Sequence, residues 1–166
     1  MNIDSHQSPA LYLVCGKIAS GKSTLTQKLA ARPKTVLISE DIWLSQLYAD
    51  EIRTLDDYVR RSRQLRSILA PHVGSLLLGC LSVVLDFPAN TLNNRRWMKD
   101  IIDRTGAAHV LHYLDIPDEV CKMRLRNRNA TGSHPYAPTD VEFDEITRFF
   151  LPPSHEEGFH IIRHEQ

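Results

Sequence analysis

An apolar run at residues 11–15 breaks into Gly16-Lys17-Ile18-Ala19-Ser20-Gly21-Lys22-Ser23, and an amphipathic stretch begins at about Lys22. Every fixed position of G-x-x-x-x-G-K-[ST] is filled, in the strand-then-helix context that the motif requires. Glycine at 16 and 21 allows positive φ, which turns consecutive N–H groups inward toward phosphate oxygens. The helix beginning there adds the positive end of its dipole. Lys22 brings an ammonium to the β- and γ-phosphates, and the Ser23 hydroxyl is a hard oxygen ligand for Mg²⁺. Gly16, Lys17, Ile18, Ala19, Ser20, Gly21, Lys22, Ser23 and Thr24 are the expected nucleotide-binding residues.

The rest of the chain supplies what such a unit needs. Apolar runs rich in Val, Ile and Leu recur at residues 35–39, 82–87, 109–116 and 159–163, with helical patterns between them. Runs apolar on both faces suit strands covered on each side, as in a parallel sheet. The alternation predicts an α/β fold: a three-layer, doubly wound sandwich with a five-stranded parallel sheet, helices on both faces and a short lid. Helices are expected at 22–31, 41–49, 56–78, 94–105, 117–126 and 144–150. Val59, Leu65, Leu69, Val73 and Leu76 form the apolar stripe of the third, with Pro71 as an expected kink. Gly106 suits the end of the fourth, and Pro117, Asp118 and Glu119 suit the start of the fifth. Residues 127–139, rich in Asn, Gly, Ser, His, Pro and Tyr, read as a lid loop.

At 166 residues the chain is expected to be one domain, with residues 1–9 as a flexible N-terminus. Apolar residues make up 42% and charged ones 24%, which excludes disordered, collagenous and disulfide-scaffold classes. Lys plus Arg and Asp plus Glu number 20 each, so no bulk positive charge supports a long nucleic-acid footprint. No basic-then-apolar leader opens the sequence, and the longest apolar-rich stretch, residues 76–85, is too short to span a membrane. A cytoplasmic protein with no membrane contact and no obligate protein partner is expected. Cys15, Cys80 and Cys121 are scattered and odd in number, and read as buried reduced thiols. His160 and His164 read as structural or surface residues, since no carboxylate or cysteine accompanies them as metal ligands.

Three further groups point to chemistry at the carboxyl edge of the sheet. The third apolar run ends in Val83-Val84-Leu85-Asp86, and a carboxylate there, beside a phosphate loop, holds Mg²⁺, usually through a water. Capping of the next turn is the alternative. Phe87 stands where large motor ATPases place a water-activating glutamate, so hydrolysis-driven motion is not expected, and no Asn-Lys-x-Asp guanine reader is present. The second run ends in Ser39-Glu40-Asp41, where Asp41 can take a proton from an acceptor hydroxyl as its oxygen attacks the γ-phosphorus. Ser39 or Asp41 can equally cap the helix that follows. Arg124, Arg126 and Arg128 crowd a helix end before the lid loop, as a solvated basic face or as arginines that fold over a triphosphate. Arg60, Arg61, Arg63 and Arg66 suit an anionic substrate or plain solvated charge.

Together these residues resemble the small P-loop kinases, and within them the family typified by zeta toxin, chloramphenicol phosphotransferase and the kinase domain of polynucleotide kinase. Segments 85–91 (Leu-Asp-Phe-Pro-Ala-Asn-Thr), 112–117 and 148–153 are similar to bacterial members of the AAA-type small kinase group described only as ATP-binding proteins. The likeness spans about residues 11–164. It implies a P-loop NTPase fold, ATP on residues 16–23, Mg²⁺ on Ser23, Asp41 as general base, and Arg124 and Arg128 as lid arginines. The Asp-Gly-Phe-Pro-Arg pattern of nucleoside monophosphate kinases is present only as Asp86-Phe87-Pro88, and the triple glycine of shikimate kinases is absent. The expected activity is ATP- and Mg²⁺-dependent transfer of the γ-phosphoryl group to a small-molecule hydroxyl, with Lys22 and the lid arginines neutralising the phosphates. The alternatives are a nucleotide-sensing module that closes without transfer, and a toxin-like kinase acting on a nucleotide-sugar or a nucleic-acid 5′ end.

Overall fold

The computed structural model describes residues 8–132 and 137–165, so residues 1–7 of the expected tail and 133–136 of the expected lid loop lie outside the described residues. Strands β1 (Ala10–Gly16), β2 (Thr35–Ser39), β3 (Ser82–Asp86), β4 (Ala108–Asp115) and β5 (Ile161–Glu165) form one sheet in the order β2-β3-β1-β4-β5. Every neighbouring pair is parallel, as the two-faced apolar runs predict.

Leu11, Leu13 and Cys15 alternate with Tyr12 and Val14, so β1 presents apolar groups to both faces. On one face Leu13, Leu85 and Leu111 pack with Leu44 of α2 (Glu40–Tyr48), Leu65 and Leu69 of α3 (Leu55–Leu78) and Met98 of α4 (Leu92–Thr105). Val14 and Val84, of opposite parity and fully buried, are left to α1 (Lys22–Ala30), which lies against β1, β2 and β3 and buries Thr26 and Leu29. A second cluster joins the end of β4 to α5 (Asp118–Ala130) and α6 (Asp140–Thr147) through Leu114, Cys121, Leu125 and Phe143. Ile18, Ala19 and Leu25 pack on it, so the phosphate loop rests on an apolar base. Each fully buried leucine contributes about 1.5–3 kcal/mol, which makes these strand centres the main hold on the sheet.

Several sequence expectations shift in register. The buried stripe of α3 is Ser62, Leu65, Leu69, Val73 and Leu77, a helical spacing that leaves Val59 exposed and Leu76 half-buried. Pro71 sits inside α3 on its exposed side. Helix α5 continues to Ala130, past the expected end at 126, and α6 starts at Asp140 rather than 144. The reason is a capping box: Thr139 accepts from the Glu142 backbone N–H, and the Glu142 carboxylate accepts from the Thr139 N–H. Cys15 and Cys121 are buried as expected, whereas Cys80 is exposed on a left-handed turn at φ 62°.

One buried charge ties distant segments together. Arg95 is 1% exposed and pairs with Glu157 through two bonds, Nε to Oε2 at 2.6 Å and Nη2 to Oε1 at 3.0 Å. The same guanidinium donates to the carbonyls of Ala89 and Leu151. It thereby fixes the chain after α6 against the turn after β3.

Candidate active site

Parallel register brings the reactive edge together. Ser39 pairs with Asp86 across β2 and β3, and both strands end beside the loop that leaves β1 at Gly16. Within that loop Gly21 adopts φ 103°, and Ala19 is a second left-handed residue at φ 59°. Gly16 does not take the positive φ expected of it. Its requirement is space, since a Cβ there would lie 2.6 Å from Ser20 Oγ and 3.1 Å from the Leu114 carbonyl oxygen.

Lys22 Nζ donates to the carbonyls of Gly16 and Lys17, both at 2.7 Å. Burial holds its pKa below the ordinary lysine value; Cys15 and Asp86 oppose that shift, and the charge of Arg128 adds to it. Lys17 pairs with Asp118 at the start of α5. Ser20 is buried and its Oγ has no partner among the described residues. Ser23 and Thr24 are exposed on the first turn of α1. A loop with a tight glycine approach, an orphan hydroxyl and an ammonium folded onto carbonyls fits a polyphosphate guest.

Asp86 is held above the usual carboxylate range chiefly by burial, and further by the charge of Asp41, while the Ser39 hydroxyl and Lys22 act against both. Ser23 and Asp86 are hard oxygen donors, and a cation would relieve the repulsion between Asp86 and Asp41, so the residues fit Mg²⁺. Among the described residues no group of three or more His, Cys, Asp or Glu forms a protein-only metal cage.

Asp41 is exposed in the first turn of α2. Neither it nor Ser39 caps the helix by a side-chain bond; Ser39 occupies the N-cap position, and its hydroxyl goes to Asp86. Its neighbour Glu40 has the opposite fate and is 0% exposed. Tyr58 donates its hydroxyl to Glu40 at 3.1 Å, Ser62 donates as well, and Arg66 closes an ion pair at 3.2 Å. Arg66 also lies over the rings of Phe87 and Trp97. Sequence reading left Glu40 out because two adjacent carboxylates look alike until one is seen to face α3. Asn90 was also missed: its Oδ1 accepts from the Gly16 N–H at 3.1 Å and from the Cys15 thiol at 3.6 Å.

The expected lid arginines divide. Arg124 donates to the Ser20 carbonyl at 3.2 Å, and Arg128 has a buried Nε with no partner among the described residues. Arg126 is occupied by Asp140. Of the four arginines on α3, three have partners within the protein: Arg60 with Asp57, Arg61 with Glu51 and Arg66 with Glu40. Arg63 opens onto a cleft between α3 and α4.

Two cavities flank the loop. One, of about 450 Å³, is lined by Gly21, Thr24, Lys28, Arg124, His164 and Glu165. His164, read from sequence as structural or superficial, thus borders the site, with its Nε2 2.9 Å from His112 Nδ1. The other, of about 500 Å³, is lined by Ile18, Leu55, Asn90, Ile146 and Phe149 among others. A smaller cleft holds Asp41 beside Tyr48 and Tyr58.

A phosphate loop at the carboxyl edge of this sheet, with an arginine-bearing helix beside it, defines a P-loop domain of kinase-like fold. A family model described as an AAA domain, AAA_33, matches residues 11–153, and the chain belongs to this family of small P-loop kinases. Among solved structures it is similar to a Chloroflexus aurantiacus protein proposed to be a kinase, at 20% identity and TM-score 0.70, over 96% of this chain and 89% of that one. It is also similar to a sugar kinase from Janibacter, at 17% identity and TM-score 0.63, over 96% and 86%. A chain of the Pnkp1/Rnl/Hen1 RNA repair complex matches at 20% identity and TM-score 0.62, over 89% of this chain and 45% of that one. At such identities the likeness is one of fold. No curated protein matches the chain in sequence. Among the described residues no helix is long and apolar enough to cross a membrane.

Proposed function

We propose that the protein is a kinase that moves the γ-phosphoryl group of ATP to a hydroxyl of a small molecule, with Asp41 as general base. The observation that carries this reading is Asp41 itself: an exposed carboxylate at the carboxyl edge, close enough to Asp86 to raise its pKa, after β2 and separated by β3 alone from the strand that feeds the phosphate loop. Its neighbour Glu40 is committed to Tyr58, Ser62 and Arg66, so Asp41 is the carboxylate of the pair open to a substrate. In the transfer the acceptor oxygen forms a bond to the γ-phosphorus, the bond from that phosphorus to the β–γ bridging oxygen breaks, and ADP leaves. The acceptor proton goes to the Asp41 carboxylate. Lys22 exchanges its two carbonyl partners for phosphate oxygens, and Arg124 and Arg128 approach from α5 to neutralise charge in the transition state. Ser23 and Asp86 would hold Mg²⁺, which when bound supplies charge neutralisation to the β- and γ-phosphates. The partner is then a small acceptor, and the even charge balance gives no support to a long nucleic-acid footprint.

The test is transfer from ATP labelled with heavy oxygen in the γ-phosphate to compounds of a bacterial metabolite extract, read by mass spectrometry. Asp41→Asn should cut labelled product by about 10²–10⁴-fold and leave ATP affinity within about twofold. Full transfer by Asp41→Asn would remove the aspartate from its role. ATP binding without labelled product from any hydroxyl class would replace the kinase with a nucleotide sensor.

A further inference from the structure

We infer that the cavity of about 500 Å³ between the phosphate loop, the start of α3 and residues 145–150 holds the body of the acceptor, whose reacting hydroxyl extends toward the separate cleft of Asp41, and that this acceptor is a neutral alcohol with an aromatic or aliphatic body rather than an anionic compound. The inference rests on the phosphotransferase reading above, and the experiment below separates the failure of one from the failure of the other.

Position comes first. Lys17 and Ile18 of the phosphate loop form one wall, beside Asn90, whose carboxamide holds the Gly16 N–H. An occupant therefore touches the same loop that would hold the phosphates, on the side away from Gly21, Thr24 and Lys28. The volume falls in the range of small-molecule sites.

The lining sets the class of ligand. Leu55 and Phe149 are 76% and 75% exposed, and Ile146 is 42% exposed, yet all three face this one cavity together with Ile18 and Phe150. Large apolar side chains held in water around a concavity mark a ligand surface. The charges exclude an anion. Among the described residues Lys17 is the one basic residue of the lining, and it is already paired with Asp118. Glu145 adds a negative charge to the same wall. A phosphate or carboxylate bound here would be desolvated with no free cation to receive it and a carboxylate nearby. Thr147 can hydrogen-bond a hydroxyl group, and Thr91, whose Oγ1 accepts from the Asn94 N–H, still has its own proton to donate. The arginines suited to an anionic acceptor lie elsewhere, with Arg66 locked on Glu40 and Arg63 on the α3–α4 cleft.

The wall is also preformed. Leu151 donates its N–H to the Asn90 carbonyl at 2.9 Å, Arg95 grips the carbonyls of Ala89 and Leu151, and the Phe150 ring stacks on Tyr113 at 6.1 Å between centroids. A cavity held this way binds without first ordering its own lining.

The experiment uses two matched probes, 2-(2-naphthyl)ethanol and 2-naphthylacetate, titrated by naphthyl fluorescence into the full chain and into the double variant Ile146→Ser/Phe149→Ser. Both positions are exposed, so the variant should keep its melting temperature and ATP affinity. The alcohol should bind the native chain at least tenfold more tightly than the acid, and the variant at least tenfold more weakly than the native chain. Equal or tighter binding of the acid overturns the charge preference, and an unchanged affinity in the double variant overturns the location. Label transfer from ATP to naphthylethanol, lost in the variant through a raised KM, supports the whole inference. If anionic acceptors are phosphorylated with a KM that the variant does not move, the kinase reading stands and this inference falls. If the binding pattern holds but no hydroxyl compound ever receives label, the kinase reading falls, and the acceptor role with it.

Discussion

The cavity on the α1 side of the phosphate loop is walled by Thr24, Lys28, Arg124, His164 and Glu165, whereas the one on the α6 side is walled by Ile18, Leu55, Ile146 and Phe149. The first sets charges and hydrogen-bonding groups of α1, α5 and the end of β5 around apolar Leu25, Leu114 and Ile116. The second offers apolar surface on loops and helix termini, pinned from behind by Arg95. One loop thus serves two neighbours built on different principles. The polar side can discriminate by donor and acceptor pattern; the apolar side can discriminate mainly by shape and by refusing charge.

The largest effect expected is on the loop the two sides share. Lys22→Ala should weaken ATP binding on the order of 10²–10³-fold, about 3–4 kcal/mol, by calorimetric titration. Naphthylethanol affinity should hardly change, and equal losses on both sides would break the comparison. Next comes the brace behind the apolar wall. Arg95→Met leaves the half-buried Glu157 and the carbonyls of Ala89 and Leu151 without this partner and should cost about 2–3 kcal/mol of stability in denaturant titrations. Hydrogen exchange should rise in residues 145–157 well before α1; a uniform rise would show that the apolar side has no separate support. The smallest effect belongs to the polar side and to pH. Burial, with the His164 ring and Arg32 adding, pushes the His112 pKa from 6.5 down to about 4. The folded chain keeps this imidazole neutral where the unfolded chain would take up a proton. Its contribution to stability is therefore full above pH 6.5 and lost as pH falls through that window toward 4. His112→Gln should flatten this slope, a difference of a few degrees in Tm. An unchanged slope would detach the histidine pair from the stability of that wall.

Legibility from sequence followed the same division. The phosphate loop is written in contiguous residues, and five apolar runs sufficed for the sheet, because parallel strands covered on both faces need little else. The glycine at 16 answers to crowding by Ser20 and Leu114 and not to the positive φ expected of it, and that crowding comes from folding and not from the motif. The apolar side was not legible. Ile146 and Phe149 come to line one cavity with Leu55 only in the folded chain, and Arg95 reaches Glu157 across 62 positions. The start of α6 was readable, since Thr139-Asp140-Val141-Glu142 has the spacing of a capping box, but Pro152-Pro153 drew the expected helix too far toward its end. Glu40 and Asp41 show the remaining limit. Residues next to each other in a first helical turn diverge by about 100° around the axis, and only the position of α3 decides which one is covered.

The ammonium of Lys22, resting on the carbonyls of Gly16 and Lys17, has a consequence for selectivity among anions. A lysine held this way has its own internal counter-dipole and is not a bare charge. A guest must offset two charge-assisted bonds, each worth about 1.5–3 kcal/mol, before it gains anything from the lysine. Orthophosphate or sulfate, touching the loop at one point, has little with which to do so. Under the proposed function a triphosphate would reach the backbone N–H groups, the lysine and the arginines of α5 at once, and the loop would then measure the length of a phosphate chain as well as its charge.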